Sequence, residues 1–431
     1  MEQRVAPARA LLGELTVPGD KSISHRAAIL GALAEGTTQI EGFLEGADPR
    51  STLDCLAALG VEWRRPGPGR IVVQGRCGTL TEPSRVLDAG NSGTTARLLL
   101  GVLASQPFHA VLTGDASLCR RPMGRVVEPL RRMGARIDGR EEGRALPLAV
   151  RGGGLRAGEH RLAVVSAQVK SALLLAGLAA AGTTGVAESH PSRDHTERML
   201  RSFGAQVEEA AGPEGHRVQL RGPAVLRGRR VVVPGDISSA AFFLAAAAAL
   251  PGSRLRVRRV GINPTRTGVL EALSRMGARI AVERRPDVAG EEWGDVTVEG
   301  GPLEGVELGG ELIPRLIDEL PVLCVLACVA AGETRIRDAA ELRVKESDRI
   351  AAMAGELGRL GARVEALPDG LVVQGGGALR GATVDAHGDH RVAMALAVAG
   401  LLAAGDTRIR GAECVDISYP DFWRQLDGLR R

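Results

Sequence analysis

Three lysines stand in this chain of 431 residues, Lys21, Lys170 and Lys345, although Lys and Arg together number 55. Arg serves wherever a surface cation suffices, so each Lys calls for a reason. Arg offers a planar, permanently charged fork, whereas Lys offers a compact ammonium that can titrate and hand over a proton. All three lie in polar clusters beside long apolar segments: Asp20-Lys21-Ser22-Ile23-Ser24-His25-Arg26, Ser166-Ala167-Gln168-Val169-Lys170-Ser171, and Arg343-Val344-Lys345-Glu346-Ser347-Asp348-Arg349. Proton-passing chemistry on an anionic substrate is the expectation for Lys21 and Lys345. For Lys170 a chemical and an incidental origin stand even.

A helix that starts at Asp20 presents free backbone N–H groups and a partial positive charge, which suits an anion. Lys21 and Ser22 fall in its first turn, and Arg26 stands four residues after Ser22 on the same face. The Lys345 cluster repeats this logic, with Lys345 and Arg349 spaced i, i+4 and Glu346 between them as a proton donor. A solvated helix with ordinary Glu–Arg pairs would read the same. Further cations come from Cys119-Arg120-Arg121-Pro122 and Gly388-Asp389-His390-Arg391, and Asp88-Ala89-Gly90-Asn91-Ser92-Gly93-Thr94-Thr95 is a small-residue turn into another helix. Asp318 could work as a carboxylate or cap the helix that runs on to Ala330. His387-Gly388-Asp389-His390 has metal-ligand residue types without further ligands, so no metal is expected. No glycine-rich nucleotide fingerprint follows a strand, so no cofactor is expected either.

These clusters must be positioned by repeating elements. Val17-Pro18-Gly19-Asp20-Lys21-Ser22 returns half a chain later as Val233-Pro234-Gly235-Asp236-Ile237-Ser238. The second copy carries Ile237 in place of Lys21, so the motif folds without the ammonium. Beneath this runs a finer repeat. Ala/Leu-rich helical stretches end in a turn and a β-like run at Gly36-Thr37-Thr38, Gly182-Thr183-Thr184, Gly332-Glu333-Thr334 and Gly405-Asp406-Thr407. A second phrase, as in Met133-Gly134-Ala135-Arg136-Ile137 and Leu360-Gly361-Ala362-Arg363-Val364, closes a helix with a left-handed Gly before a strand. Six α/β units of this size exceed a solenoid repeat and suit two similar domains of three units each. The Pro-Gly-Asp copies set the boundaries: residues 18–234 form one domain, and 1–17 plus 235–431 the other.

Composition excludes other classes. Net charge is +4, acids number 51 and aromatics make up 2% of residues, so neither a basic stripe nor stacking rings for nucleic acid are expected. Apolar runs fall short of the ~18–20 residues a membrane span needs. The first residues show no charged region followed by an apolar stretch, so export is not expected, and none of the six cysteines forms a CxxC pair. Cys324 and Cys328 read as core packing. A cytoplasmic protein is expected.

Leu15-Thr16-Val17-Pro18-Gly19-Asp20-Lys21-Ser22-Ile23-Ser24-His25-Arg26 closely resembles the first signature of the 5-enolpyruvylshikimate-3-phosphate synthase family. Asn91-Ser92-Gly93-Thr94-Thr95-Ala96-Arg97 is similar to its second, and Leu342-Arg343-Val344-Lys345-Glu346-Ser347-Asp348-Arg349 to its late one. Arg121-Pro122, Ser166-Ala167-Gln168, Arg193-Asp194-His195-Thr196, Asp318 and Asp389-His390-Arg391 follow in the family's order, so the resemblance spans essentially the whole chain. It implies two domains, each of three βαβαββ-like units in an inside-out α/β barrel, with the active site in the cleft between them. It also implies an enolpyruvyl (1-carboxyvinyl) transferase of the shikimate pathway, serving aromatic amino-acid and chorismate biosynthesis. The family's reaction moves the enolpyruvyl group of phosphoenolpyruvate to the 5-hydroxyl of shikimate 3-phosphate and releases phosphate through a tetrahedral ketal.

Carried over by resemblance, Lys21, Ser22, Arg26, Ser166, Gln168, Arg193, Asp318 and Lys345 hold shikimate 3-phosphate. Lys21, Gly93, Arg121, Gln168, Arg349 and Arg391 hold phosphoenolpyruvate, with Gly93 leaving room that a Cβ would fill. Asp318 is the base, and Lys21 and Glu346 carry protons. No metal or cofactor takes part, and a monomer is expected. Lys170 matches no substrate contact, so Lys170→Arg is expected to be tolerated. The sibling reaction on UDP-N-acetylglucosamine is the alternative, invited by Cys119 beside Arg120-Arg121, although the Ser22-to-Arg26 set argues for the phosphorylated acceptor. A non-catalytic anion-binding scaffold is a third reading, opposed by Lys21, Glu346 and Asp318.

Overall fold

The computed structural model describes residues 1–212, 215–288 and 290–431. The chain divides into two compact units, one of residues 19–233 with 287–291, the other of residues 1–18, 234–286 and 292–431. Six sheets are present among the described residues, five of four strands and one of three.

The unit of residues 19–233 holds three sheets built alike. In the first, Arg230–Val232 pairs in parallel with Thr37–Glu41, which pairs antiparallel with Arg70–Gln74, and that strand antiparallel with Trp63–Gly67. The same order recurs for Leu87–Asp88, His109–Thr113, Ala145–Arg151 and Arg136–Gly139. It recurs again for Glu159–Arg161, Gly182–Glu188, Gly215–Gly222 and Val207–Gly212. Parallel neighbours need a crossover. In the second and third sheets a helix supplies it, Gly93–Ser105 and Ala167–Gly177, whereas Lys21–Leu33 leads into Thr37–Glu41 and its parallel partner Arg230–Val232 arrives from the far end of the unit.

Beyond their polar first turns these helices are largely apolar, and they are buried almost throughout: Ile23 to Leu33 in the first, Val169 to Gly177 in the third. A helix of that kind belongs inside. The strands alternate instead, with Thr38 and Ile40 buried between exposed Thr37 and Gln39, as a sheet with one wet face requires. Helices within and sheets outside is the inside-out arrangement. Small residues let the buried helices approach: a Cβ on Gly101 would sit 2.2 Å from the Ala172 carbonyl oxygen on the next helix.

The other unit repeats the scheme with helices Ile237–Ala249, Leu320–Val329 and His390–Leu402. Two of its sheets are completed from the chain's beginning. Leu12–Thr16 pairs in parallel with Arg254–Gly261, and Glu2–Val5 pairs antiparallel with Thr407–Arg410. The last unit has no hairpin after its second strand, so Glu2–Val5 stands where the hairpin strand stands elsewhere. That explains why residues 1–18 group with the far end of the chain. The helix-closing glycines are left-handed, as at Gly134 (φ 112) and Gly361 (φ 88).

Candidate active site

Each unit carries a polar cluster at the N-termini of its buried helices. In the unit of residues 19–233, Asp20 caps helix Lys21–Leu33 by accepting from Ile23 N at 2.9 Å. Ser92 caps Gly93–Ser105 through Thr95 N at 3.1 Å, and Ser166 caps Ala167–Gly177 through Val169 N at 3.5 Å. The caps satisfy one donor each and leave other first-turn N–H groups to face a ligand.

Side chains tie these termini together. Lys21 Nζ lies 3.0 Å from Asp48 Oδ2, and the Asp48 carbonyl accepts from Thr95 Oγ1 at 3.4 Å. Gln168 bridges two helices, its Nε2 donating to Thr94 Oγ1 at 3.0 Å and its Oε1 accepting from Arg97 Nη1 at 2.6 Å. Arg121 Nη2 donates to Asn91 Oδ1 at 2.6 Å. A Cβ on Gly93 would lie 2.9 Å from Arg97 Nη1 and 3.4 Å from Arg121 Nη1, so the missing side chain makes room for two guanidinium groups. Arg26 is buried and fully directed: Nε to Thr196 Oγ1 at 2.7 Å, Nη2 to Ser171 Oγ at 2.8 Å, Nη1 to the Ser22 carbonyl at 2.9 Å. Burial pulls its guanidinium down to about 10, with Glu197 and Asp20 acting against the shift.

His25 is buried and bonds Thr52 Oγ1 at 2.7 Å, and Thr52 bonds Thr95 Oγ1 at 2.7 Å. Burial lowers its pKa to about 3, so the ring is neutral. Arg193 sits half-buried just before helix His195–Ser202. Lys21, Ser22, Arg26, Gly93, Arg121, Ser166 and Gln168 thus belong to one connected cluster.

The second cluster centres on Arg349, whose side chain has no exposure. It donates from Nε to Asp389 Oδ2 at 2.8 Å, from Nη2 to Glu346 Oε2 at 2.6 Å and from Nη1 to Asp318 Oδ1 at 3.2 Å. Asp318 also lies 3.7 Å from Lys345 Nζ and 3.8 Å from Arg391 Nη2, and its carbonyl accepts from Arg391 Nη1 at 3.2 Å. Burial lowers the Lys345 pKa, while Asp318 and Glu341 act to raise it. Asp389 caps helix His390–Leu402 through Arg391 N at 2.9 Å.

Several expectations change against this geometry. Lys345 and Arg349 do not share a helix face, because Asp348 caps the helix that begins at Arg349, accepting from Ala351 N at 3.0 Å. They converge through Asp318 instead. Asp318 is not the cap of Leu320–Val329, whose N-cap residue is Glu319. His387 turns to Glu356, at 2.9 Å, while Asp389 turns to Arg349, so that short motif splits between two partners. Lys170, expected to tolerate Arg, has a wholly buried ammonium, 2.7 Å from both Glu188 Oε1 and Glu197 Oε1. A longer, forked cation would have to displace that packing. Sequence reasoning passed over Asp48 and gave no role to Arg97 or Asp389. Arg97 had a signal, one helical turn after Gly93, whereas nothing in Gly46-Ala47-Asp48-Pro49 marks Asp48 as the partner of Lys21.

Residues 5–426 match the family described as EPSP synthase (3-phosphoshikimate 1-carboxyvinyltransferase). A 3-phosphoshikimate 1-carboxyvinyltransferase of Gloeobacter violaceus is 59% identical, over 99% of this chain and 98% of its own length. One from Geobacillus kaustophilus is 54% identical, over 97% and 98%. Among solved structures, EPSP synthase from Acinetobacter baumannii aligns with a TM-score of 0.88 at 43% identity, over 100% of this chain and 98% of that one.

Proposed function

The chain belongs to the EPSP synthase family, and from that premise we propose how its residues divide the reaction. The enzyme transfers the enolpyruvyl group of phosphoenolpyruvate to the 5-hydroxyl of shikimate 3-phosphate and releases phosphate. Both substrates are polyanions, and both clusters gather cations around helix N-termini. In our reading Lys21, Ser22, Arg26, Ser166, Gln168, Arg193, Asp318 and Lys345 hold shikimate 3-phosphate. Lys21, Gly93, Arg121, Gln168, Arg349 and Arg391 serve phosphoenolpyruvate.

The carboxylate of Asp318 takes the proton of the 5-hydroxyl as its oxygen bonds C2 of phosphoenolpyruvate. Glu346 or Lys21 delivers a proton to the methylene C3, giving the tetrahedral ketal. Loss of a C3 proton then expels phosphate, whose developing charge the fixed cations stabilise. The observation that carries this reading is Asp318 itself, a carboxylate within 3.2–3.8 Å of Arg349, Lys345 and Arg391. Arg349 meanwhile keeps Asp318 and Glu346 in one place by bonding both. We also infer a cytosolic enzyme, supported by six free thiols; no described helix is long and apolar enough to cross a membrane.

A phosphate-release assay with each substrate omitted in turn tests this reading. Phosphate should appear with both substrates present and with neither alone. Faster release with UDP-N-acetylglucosamine as acceptor would overturn it.

A further inference from the structure

Lys170 lies outside the residues assigned to either substrate, yet it sits at a fully buried junction. Its Nζ is 2.7 Å from Glu188 Oε1 and 2.7 Å from Glu197 Oε1, and it donates to the Ser192 carbonyl at 3.3 Å. All three side chains have no exposure. Taking such charges from water costs heavily, and an apolar trio of similar volume would often be at least as stable. The cluster's neighbours say what it holds. Ser171, next to Lys170 on helix Ala167–Gly177, receives Arg26 Nη2 at 2.8 Å; Thr196, next to Glu197 on helix His195–Ser202, receives Arg26 Nε at 2.7 Å. The two hydroxyls are 2.6 Å apart. Glu188 accepts from Ser192 N and from Ser192 Oγ, each at 2.8 Å, and Ser192 directly precedes Arg193.

We propose that Lys170, with Glu188 and Glu197, is the positioning element of the acceptor's phosphate site: it locks together the three segments that aim Arg26 and present Arg193. The proposal rests on the assignment of those two arginines to shikimate 3-phosphate. Their bonds to phosphate are directional and forked, so a small rotation of either segment loses them. The residues assigned to phosphoenolpyruvate alone on this unit, Gly93 and Arg121, hang on other contacts, Arg121 through Asn91 and Gly93 beside Arg97. Loss of the lock should therefore discriminate between the substrates.

The test compares Lys170→Met and the double variant Lys170→Met/Glu197→Gln with the wild-type enzyme, by calorimetric binding of shikimate 3-phosphate and by KM for each substrate. Shikimate 3-phosphate should bind about tenfold or more weakly in both variants, the worth of one charge-assisted hydrogen bond. KM for phosphoenolpyruvate should stay within about twofold. The double variant should regain much of the Tm lost by the single one, since no unpaired buried carboxylate at position 197 remains, without regaining acceptor affinity. Native acceptor binding in a folded double variant would overturn the proposal, as would equal weakening of both substrates or failure of both variants to fold. If the wild-type protein itself bound no shikimate 3-phosphate, the acceptor assignment would fall first and the proposal with it.

Discussion

The chain builds the same helix start twice and leaves only the first with an ammonium. At Asp20-Lys21-Ser22 the cap accepts from Ile23 N, and Lys21 stays partly exposed, 3.0 Å from Asp48. At Asp236-Ile237-Ser238 the cap accepts from Ser238 N, Ile237 is buried, and Arg266 fills the approach. Arg266 Nη2 reaches Asp236 Oδ1 at 3.0 Å and Ser238 Oγ at 2.8 Å, while Ser238 donates to buried Glu319. Two similar anion-attracting termini are thus put to different uses, one closed by a buried guanidinium and one carrying a partly exposed, titratable cation. The helix terminus alone does not make a site; what the surrounding residues leave unplugged does.

The contrast is broken most strongly at Arg266. Replacing it with Met removes the charged partner of the buried Asp236 carboxylate, which keeps its bond from Ser238 N, a loss of about 3–5 kcal/mol. Lys21→Met, where the ammonium keeps some exposure beside a buried Asp48, should cost clearly less than that. Denaturant midpoints of the two variants measure the difference, and equal shifts would erase the distinction between plug and open site. Lys170→Arg comes next. Forcing a larger cation between Glu188 and Glu197 should cost about 1–3 kcal/mol, seen as a lowered Tm; a native Tm would return Lys170 to the tolerant class first expected of it.

Gly93→Ala is milder. The clash falls on the movable end of Arg97, so stability should change little while KM for phosphoenolpyruvate rises roughly fivefold, about 1 kcal/mol. An unchanged KM would detach Gly93 from that substrate. A pH-dependent effect is expected at His216, whose pKa is held up at about 9, chiefly by Glu188 and also by Glu209. A value raised above the ordinary 6.5 means stability fully present below about pH 6.5 and lost as pH climbs through about 9. His216→Gln should flatten that decline in Tm between pH 6.5 and 9.

Much of this was legible in the residues. The Gly-turn-strand phrases mark strands at Thr37, Gly182, Glu333 and Thr407 because glycine at those turns adopts positive φ, as at Gly36 and Gly332. Buried helices announce themselves by Ala and Leu on every face. What escaped were partners brought in by tertiary packing alone: Asp48 is 27 residues from Lys21, and Asp389 is 40 from Arg349. The i, i+4 spacing of Lys345 and Arg349 misled for a local reason, since Asp348 caps a helix between them. Lys170 misled for a deeper one. An ammonium among apolar neighbours looks the same in sequence whether it meets substrate or two buried carboxylates.

The central claim is that Lys21 is kept as lysine for its compact, proton-carrying ammonium rather than for its charge or for the fold. Lys21→Arg keeps the charge, and Ile237 shows that the motif folds without lysine. Steady-state phosphate release at saturating substrates, with a melting curve on the same sample, reads the claim directly. The account predicts kcat lower by about 10²–10⁴, the usual worth of general acid–base help, at a nearly unchanged Tm. A kcat close to that of the wild-type enzyme would contradict it.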